Sequence, residues 1–315
     1  MTTTASEETR RIPSRFLLDS DRFVGVMFLL PAILYIIALV GLPFLLAIAF
    51  SLTDVTVGDT SLNFVGLQNF EAILKSTTFQ RALLNTFVFT FVSQIFIIII
   101  ANIIALVLTQ EFRGKWLVRF LIILPWATPV ALGAIGWLWL LDSKFSPVDW
   151  VMVEMNLLGP GTVFGPSKNM FWLGKPFLAQ ASVILVQVWR MVPLSAVILM
   201  AGLTSIPTDI LDQAEVDGSR FWRTLFQVKL PMIAPIMIIA LLFSTIFTFG
   251  DMTVVYVMTR GGPVDYTQVL ASWSFFVGIQ GGNLSQGAAI SLFLFPLLLV
   301  VAIIFLRMAS RTEVN

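Results

Sequence analysis

Hydrophobic residues run along this chain in long blocks without charge, separated by short polar stretches. Residues 23–53 carry no Asp, Glu, Lys or Arg, nor do 82–110, 120–141, 230–250 and 266–306, while 176–208 is interrupted only by Arg190. About 20 apolar residues in a helix cross roughly 30 Å of hydrocarbon, so each block is long enough to span a membrane. The last block is too long for one span. Turn chemistry at 279–287 divides it, and its first part, 266–278, is too short to cross and reads as a surface or re-entrant segment. The pattern predicts helices near 23–50, 83–108, 120–141, 177–202, 232–258 and 286–306. No stretch alternates as the strands of a membrane barrel do. The expected fold is an all-α integral membrane protein with six transmembrane helices.

Composition points the same way. Of 315 residues, 57% are apolar and 12% charged, against about 45–50% and 25% in soluble domains. Nineteen basic and eighteen acidic residues leave a net charge of +1, which gives no reason to expect nucleic acid. The chain has no His and no Cys. That removes Ser–His and Cys–His nucleophiles, His/Cys zinc sites and every disulfide. Among the remaining acids Asp142, Asp149 and Glu154 form no catalytic pair, so neither a catalytic nor a metal site is expected.

Lys and Arg in short loops set orientation. With the N-terminus inside, Arg10, Arg11, Arg15, Arg22, Arg113, Lys115, Arg119, Arg220, Arg223, Lys229, Arg307 and Arg311 are cytoplasmic, twelve of nineteen. Both termini are then cytoplasmic: a tail at 1–22, a membrane domain at 23–306 and a tail at 307–315. The first helix is expected to be retained, because its apolar run is too long for a signal peptide and lacks a convincing cleavage site. The Arg10–Arg11 pair reads as a topology signal. Two helices open on a Leu-Pro-x-x-x-Pro pattern, Leu124-Pro125 to Pro129 and Leu230-Pro231 to Pro235, so both are expected to kink. Trp137, Trp139, Trp150 and Trp172 are read as interfacial anchors.

The loop from Leu203 to Pro231 does more than connect two spans. Pro207 suits a first helical position, and Asp209 and Asp212 favour the positive end of the helix dipole. Ile210, Leu211 and Ala214 form one face, while Asp209, Asp212 and Glu215 form another. Gly218 stops this helix or admits a close backbone. Phe221, Trp222, Leu225 and Phe226 then recur at helical spacing. The loop reads as two short amphipathic helices around a glycine. Lying flat among headgroups is the other reading, which three acids on one side disfavour.

Here the sequence resembles the EAA loop of binding-protein-dependent ABC importer permeases: Asp212-Gln213-Ala214, three residues, Gly218, nine residues, then Val228-Lys229-Leu230-Pro231. Asp217-Gly218 fits the sugar-importing branch. The departures from Glu-Ala-Ala and Ile-x-Leu-Pro are Asp212, Gln213 and Val228. Phe64-Val65-Gly66-Leu67-Gln68-Asn69-Phe70, Leu124-Pro125-Trp126, Trp189 with Pro193, and Thr259-Arg260-Gly261-Gly262-Pro263 are similar to segments of the maltose and glycerol-3-phosphate type permeases. The resemblance implies a type I ABC importer permease fold in a bacterial or archaeal inner membrane. It implies a second permease subunit completing the pore, two ATPase subunits and an external sugar-binding protein. It also implies a coupling helix made by Asp212, Gln213, Ala214, Glu215, Asp217, Gly218, Leu230 and Pro231. The chain has no phosphate-binding Gly-x-x-x-x-Gly-Lys-Ser/Thr loop. No cofactor is expected here, and ATP and Mg would belong to the partner ATPases.

Ionisable residues inside spans are functional candidates by default. Gln187, Arg190, Met191 and Leu194 share one helical face, and Ser244, Phe247, Thr248 and Asp251 share another. The eight match, position by position, those lining the sugar site of the resembling maltose-type permease, with identity in type only at Ser244 and Phe247. Amides, hydroxyls and charged groups suit sugar hydroxyls, and Phe247 suits a pyranose face. Arg190 and Asp251 stay open between a substrate path and a structural pair. At about 1.5 Å per residue Arg190 lies roughly 20 Å deep and Asp251 about 28 Å, a gap that argues against direct pairing. The expected function is a permease subunit of an ATP-driven sugar importer. A self-sufficient secondary transporter or channel is the alternative, for which one Arg and one Asp are thin material.

Overall fold

A computed structural model describes residues 21–59 and 61–312. Helix α1 spans residues 21–51, with Pro31 inside it and a π-helical turn at Ile37–Gly41. Its side chains from Val24 to Phe50 are nowhere buried. It is followed by α2 (Gln68–Leu74), α3 (Thr77–Thr109), α4 (Lys115–Ala127), α5 (Val130–Leu140) and α6 (Pro147–Glu154). Then come α7 (Pro176–Thr204), α8 (Thr208–Val216), α9 (Phe221–Met232), α10 (Ala234–Phe249), α11 (Thr253–Met258), α12 (Leu270–Gln280) and α13 (Leu284–Thr312). The described residues form no sheet, only isolated bridges such as Thr53 to Phe64.

Core contacts fix the relative directions of α3, α7 and α10. Near one end Phe89 of α3 packs with Val183 and Val186 of α7, and with Val254 and Val255 of α11. Near the other end Ala101 and Ala105 of α3 meet Ala196 and Leu199 of α7 and Ala240 of α10. So α3 and α7 run parallel and α10 runs against both. The alanines are fully buried, and small side chains let helix backbones approach closely in lipid. Leu141, after α5, returns to the Phe89 end, whereas Arg119 of α4 donates to the Leu108 carbonyl at the opposite end (3.3 Å). The α4–α5 pair therefore crosses the bundle once.

Among the described residues four unbroken helices are long and apolar enough to span a membrane, and counting each of two bent pairs as one span gives six. The expected straight helix at 120–141 is in fact α4 and α5, which meet at 97°. Thr128 precedes Pro129 and is extended (φ −73°, ψ 133°), as the proline ring requires of its predecessor. The expected helix at 232–258 is α10 and α11, entered from the end of α9. The α9–α10 junction bends by 70° at Ile233, ahead of Pro235, and the chain breaks again after Phe249.

Segment 266–278, expected as a surface or re-entrant stretch too short to cross, contributes to the short apolar helix α12. Leu270 and Ser272 are fully buried, and α12 lies along α13. Ser274 Oγ donates to the Gly287 carbonyl at 2.7 Å. A Cβ on Gly287 would stand 2.4 Å from Gly278 Cα, so only glycine permits this crossing. Two of the tryptophans are half-buried and have partners within the fold. Trp172 Nε1 donates to buried Asp149 at 2.7 Å, and Trp137 meets Trp189 edge-to-face at 5.8 Å.

Candidate functional site

The two expected polar faces do meet. Gln187 of α7 donates from Nε2 to Thr248 Oγ1 of α10 at 2.9 Å, both fully buried. Ser244, one turn before Thr248, donates to Gln94 Oε1 of α3 at 2.5 Å, and Gln94 Nε2 reaches Thr248 Oγ1 at 3.4 Å. Three helices are thus tied by one hydrogen-bond cluster between the two apolar cores. Gln187 Oε1 is buried and unpartnered. Gln94 was legible in the sequence as an amide within the charge-free block 82–110, but that block is read for its lack of charge.

Arg190 and Asp251 form an ion pair from Nη1 to Oδ2, which overturns the depth argument. Counting 1.5 Å per residue presumes an unbroken helix. The helix ends at Phe249, and Asp251 sits in the break before α11, where its Oδ1 accepts the Thr253 amide at 2.6 Å. The pair is largely enclosed, with side-chain exposures of 15% for Arg190 and 6% for Asp251. Met191 is fully buried against Ile97 and Val188, while Leu194 is half-buried. Phe247 is exposed and packs edge-to-face on Trp126 of α4 at 5.6 Å. Phe247 is thus exposed, whereas Gln187, Ser244 and Thr248 are closed inside the bundle and the ion pair is largely enclosed.

The 203–231 loop folds as two helices around Gly218. Pro207 caps α8 from outside, one position earlier than expected. At its far end Ser219 N–H donates to Ala214 C=O and Gly218 N–H to Glu215 C=O, both at 2.9 Å. This is a Schellman close, with Gly218 in the left-handed region at φ +72°. Nothing lies within 4 Å of a Cβ at Gly218, so within this chain conformation, not space, demands glycine. Asp209, Asp212, Gln213, Glu215 and Asp217 are exposed, while Leu211 packs against the core around Leu203 and Ile206. In α9 Leu225 is buried, and Phe221, Trp222 and Phe226 form an exposed aromatic row with centroids 5.1 and 6.0 Å apart. Leu230 packs inward and Pro231 is exposed.

The similar segments have structural work. Asn69 Nδ2 donates to the Ser51 and Thr53 carbonyls at 2.9 and 2.7 Å, closing the loop after α1. Thr267 Oγ1 donates to Gly262 O at 2.7 Å, and a Cβ on Gly261 would stand 2.2 Å from the Gln268 side chain. Asn85 fastens that loop to α3 through the Tyr266 and Gln268 carbonyls, at 2.8 and 2.9 Å.

Comparison with known proteins places this architecture. Residues 97–314 match the family described as binding-protein-dependent transport system inner membrane component. The chain is 30% identical over 297 residues to the trehalose transport system permease protein SugA of Mycobacterium tuberculosis, covering 92% of this chain and 89% of that protein. It is 28% identical over 284 residues to the trehalose/maltose transport system permease protein MalF of Thermococcus litoralis, covering 90% and 92%. A crystal structure of a bacterial ABC transporter involved in the import of the acidic polysaccharide alginate shares the fold, with TM-score 0.76 and 19% identity over 92% of this chain and 96% of that one. The family match and the 30% identity to SugA, with the bent spans and a loop of two helices, identify the chain as a multi-pass inner membrane component of a binding-protein-dependent ABC transport system.

Proposed function

We propose that this permease imports a sugar, forming half of a pore with a second permease subunit and taking its energy from two ATPase subunits bound at the 203–231 loop. An external sugar-binding protein delivers the substrate, and both termini face the cytoplasm. The permease itself is not an enzyme. The observation that carries the reading is the similarity along most of the chain to a trehalose transport permease, together with a buried polar cluster of Gln187, Ser244 and Thr248 and an enclosed Arg190–Asp251 pair in the two helices that flank the loop. Amides and hydroxyls with an adjoining aromatic ring match a sugar's alternating hydroxyl edges and apolar faces. Names of the similar permeases, which specify trehalose and maltose, support the same class. Met191 and Leu194 shape the wall, and Asp212, Gln213, Ala214, Glu215, Asp217, Gly218, Leu230 and Pro231 form the coupling surface.

Omission tests this. In proteoliposomes holding the purified assembly, sugar uptake should require ATP, the ATPase subunits and the binding protein together. Uptake driven by a proton gradient through this chain alone would refute it.

A further inference from the structure

The 203–231 loop divides its charges between its two helices. On α8 and its cap the exposed charged groups are Asp209, Asp212, Glu215 and Asp217, all acidic. Helix α9, with the residue before it, holds Arg220, Arg223 and Lys229 and not one acid. Both arginines are exposed. Beside them Phe221, Trp222 and Phe226 stand 60%, 67% and 60% exposed, in contact with one another, while Leu225 and Leu230 pack inward and hold the helix in place. A contiguous apolar row of this kind marks an interaction surface. Its level is set by the next span. Helix α9 meets α10 at 70°, so it leaves the spanning helix close to the plane of the membrane surface.

We infer that α9 is an interfacial helix, its aromatic row seated at the acyl-chain border and Arg220, Arg223 and Lys229 on the phosphates of an anionic phospholipid. Tryptophan and its aromatic neighbours favour that border, and a helix with cations beside an apolar row lies flat in it. The acids that disfavour a membrane reading for the loop as a whole sit on α8 alone. The left-handed turn at Gly218 separates the two helices, so an anionic surface attracts α9 and repels α8. Helix α8 is thereby kept clear for the ATPase, while α9 ties the same loop to the bilayer. That division of labour rests on the proposed coupling role, and the contact of α9 with lipid does not. With the proposed orientation the leaflet is the inner one.

The test places the permease–ATPase complex in nanodiscs of phosphatidylcholine and phosphatidylglycerol. Because the permease has no Cys, Phe226→Cys carries a single fluorophore on it, and the wild-type complex treated alike gives the background. Phospholipids with a nitroxide near the headgroup should extinguish most of this label's emission and leave a label at Glu215→Cys nearly unchanged. Nitroxide phosphatidylglycerol should act at a lower mole fraction than nitroxide phosphatidylcholine. Arg220→Gln and Arg223→Gln should narrow that gap by up to about fivefold per residue. Should Phe226→Cys fail to assemble, exposed Gln227→Cys takes the label. A label that lipid quenches only after the ATPase subunits are removed, or not at all, assigns the row to protein and overturns the inference. Equal quenching by the two lipids, or equal quenching at residues 226 and 215, overturns it as well. ATP-dependent uptake is read in the same complexes. If uptake persists while the label stays unquenched, the lipid contact fails and the proposed function stands.

Discussion

At the scale of single residues, Arg190 and Asp251 show how a charge persists inside a membrane span. A lone cation there costs at least about 2.5–3.5 kcal/mol on insertion scales, and here Asp251 offsets it. Removing one partner of an enclosed pair costs about 3–5 kcal/mol, whereas replacing both is often neutral. Arg190→Met should therefore lower the amount of assembled transporter by stranding Asp251. Adding Asp251→Asn should restore the amount, with uptake per assembled complex still low. Membrane quantification and uptake of the two single variants and the double check both halves. Thr248→Val removes the hydroxyl shared by Gln187 and Gln94. Leaving buried amide groups unmatched should lower stability by about 1–3 kcal/mol, read as a drop in Tm. Gly218 is a conformational case. A branched side chain at φ +72° costs about 1–2 kcal/mol, whereas Asn tolerates the left-handed region. Gly218→Leu should raise the ATP hydrolysed per sugar imported, and Gly218→Asn should leave that ratio near the wild-type value.

At the scale of helices, glycine decides the α12–α13 crossing. With a Gly287 Cβ at 2.4 Å from a backbone atom, no rotamer change relieves the clash. Gly287→Ala should cost about 1–3 kcal/mol, measured as reduced thermal stability of the purified complex, while Gly25→Ala, in open space, should cost little. The spans were legible because a long apolar block without charge is soluble in hydrocarbon and little else. The two Leu-Pro-x-x-x-Pro openings signalled kinks but not their size. A proline removes a donor and bars its predecessor from helical geometry, yet the angle of 97° at Pro129 depends on what α5 then packs against. The break after Phe249 carried no proline at all, and it moved Asp251 to Arg190. Face spacing found Gln187, Ser244 and Thr248 because α7 and α10 are regular there. It could not find Gln94, which joins them only through the packing of a third helix.

At the scale of the whole molecule, two structures lie along one chain. One is the polar face where α3, α7 and α10 converge, and the other is the 203–231 loop. The second follows α7 directly and leads into α10, so both helices that bear the polar face begin or end at that loop. A shift of the loop is thereby a shift of the two helices that bear the proposed sugar site. Cross-linking addresses this most directly, because the chain contains no Cys and a single introduced thiol is unambiguous. Glu215→Cys, on an exposed turn of α8, is to be paired with single cysteines along the ATPase surface in the reconstituted importer. A disulfide should form with the ATPase, and its formation should arrest sugar uptake until a reductant restores it. Uptake continuing at full rate with the cross-link in place, or no ATPase position capturing residue 215 in a transporting complex, would contradict coupling through this loop.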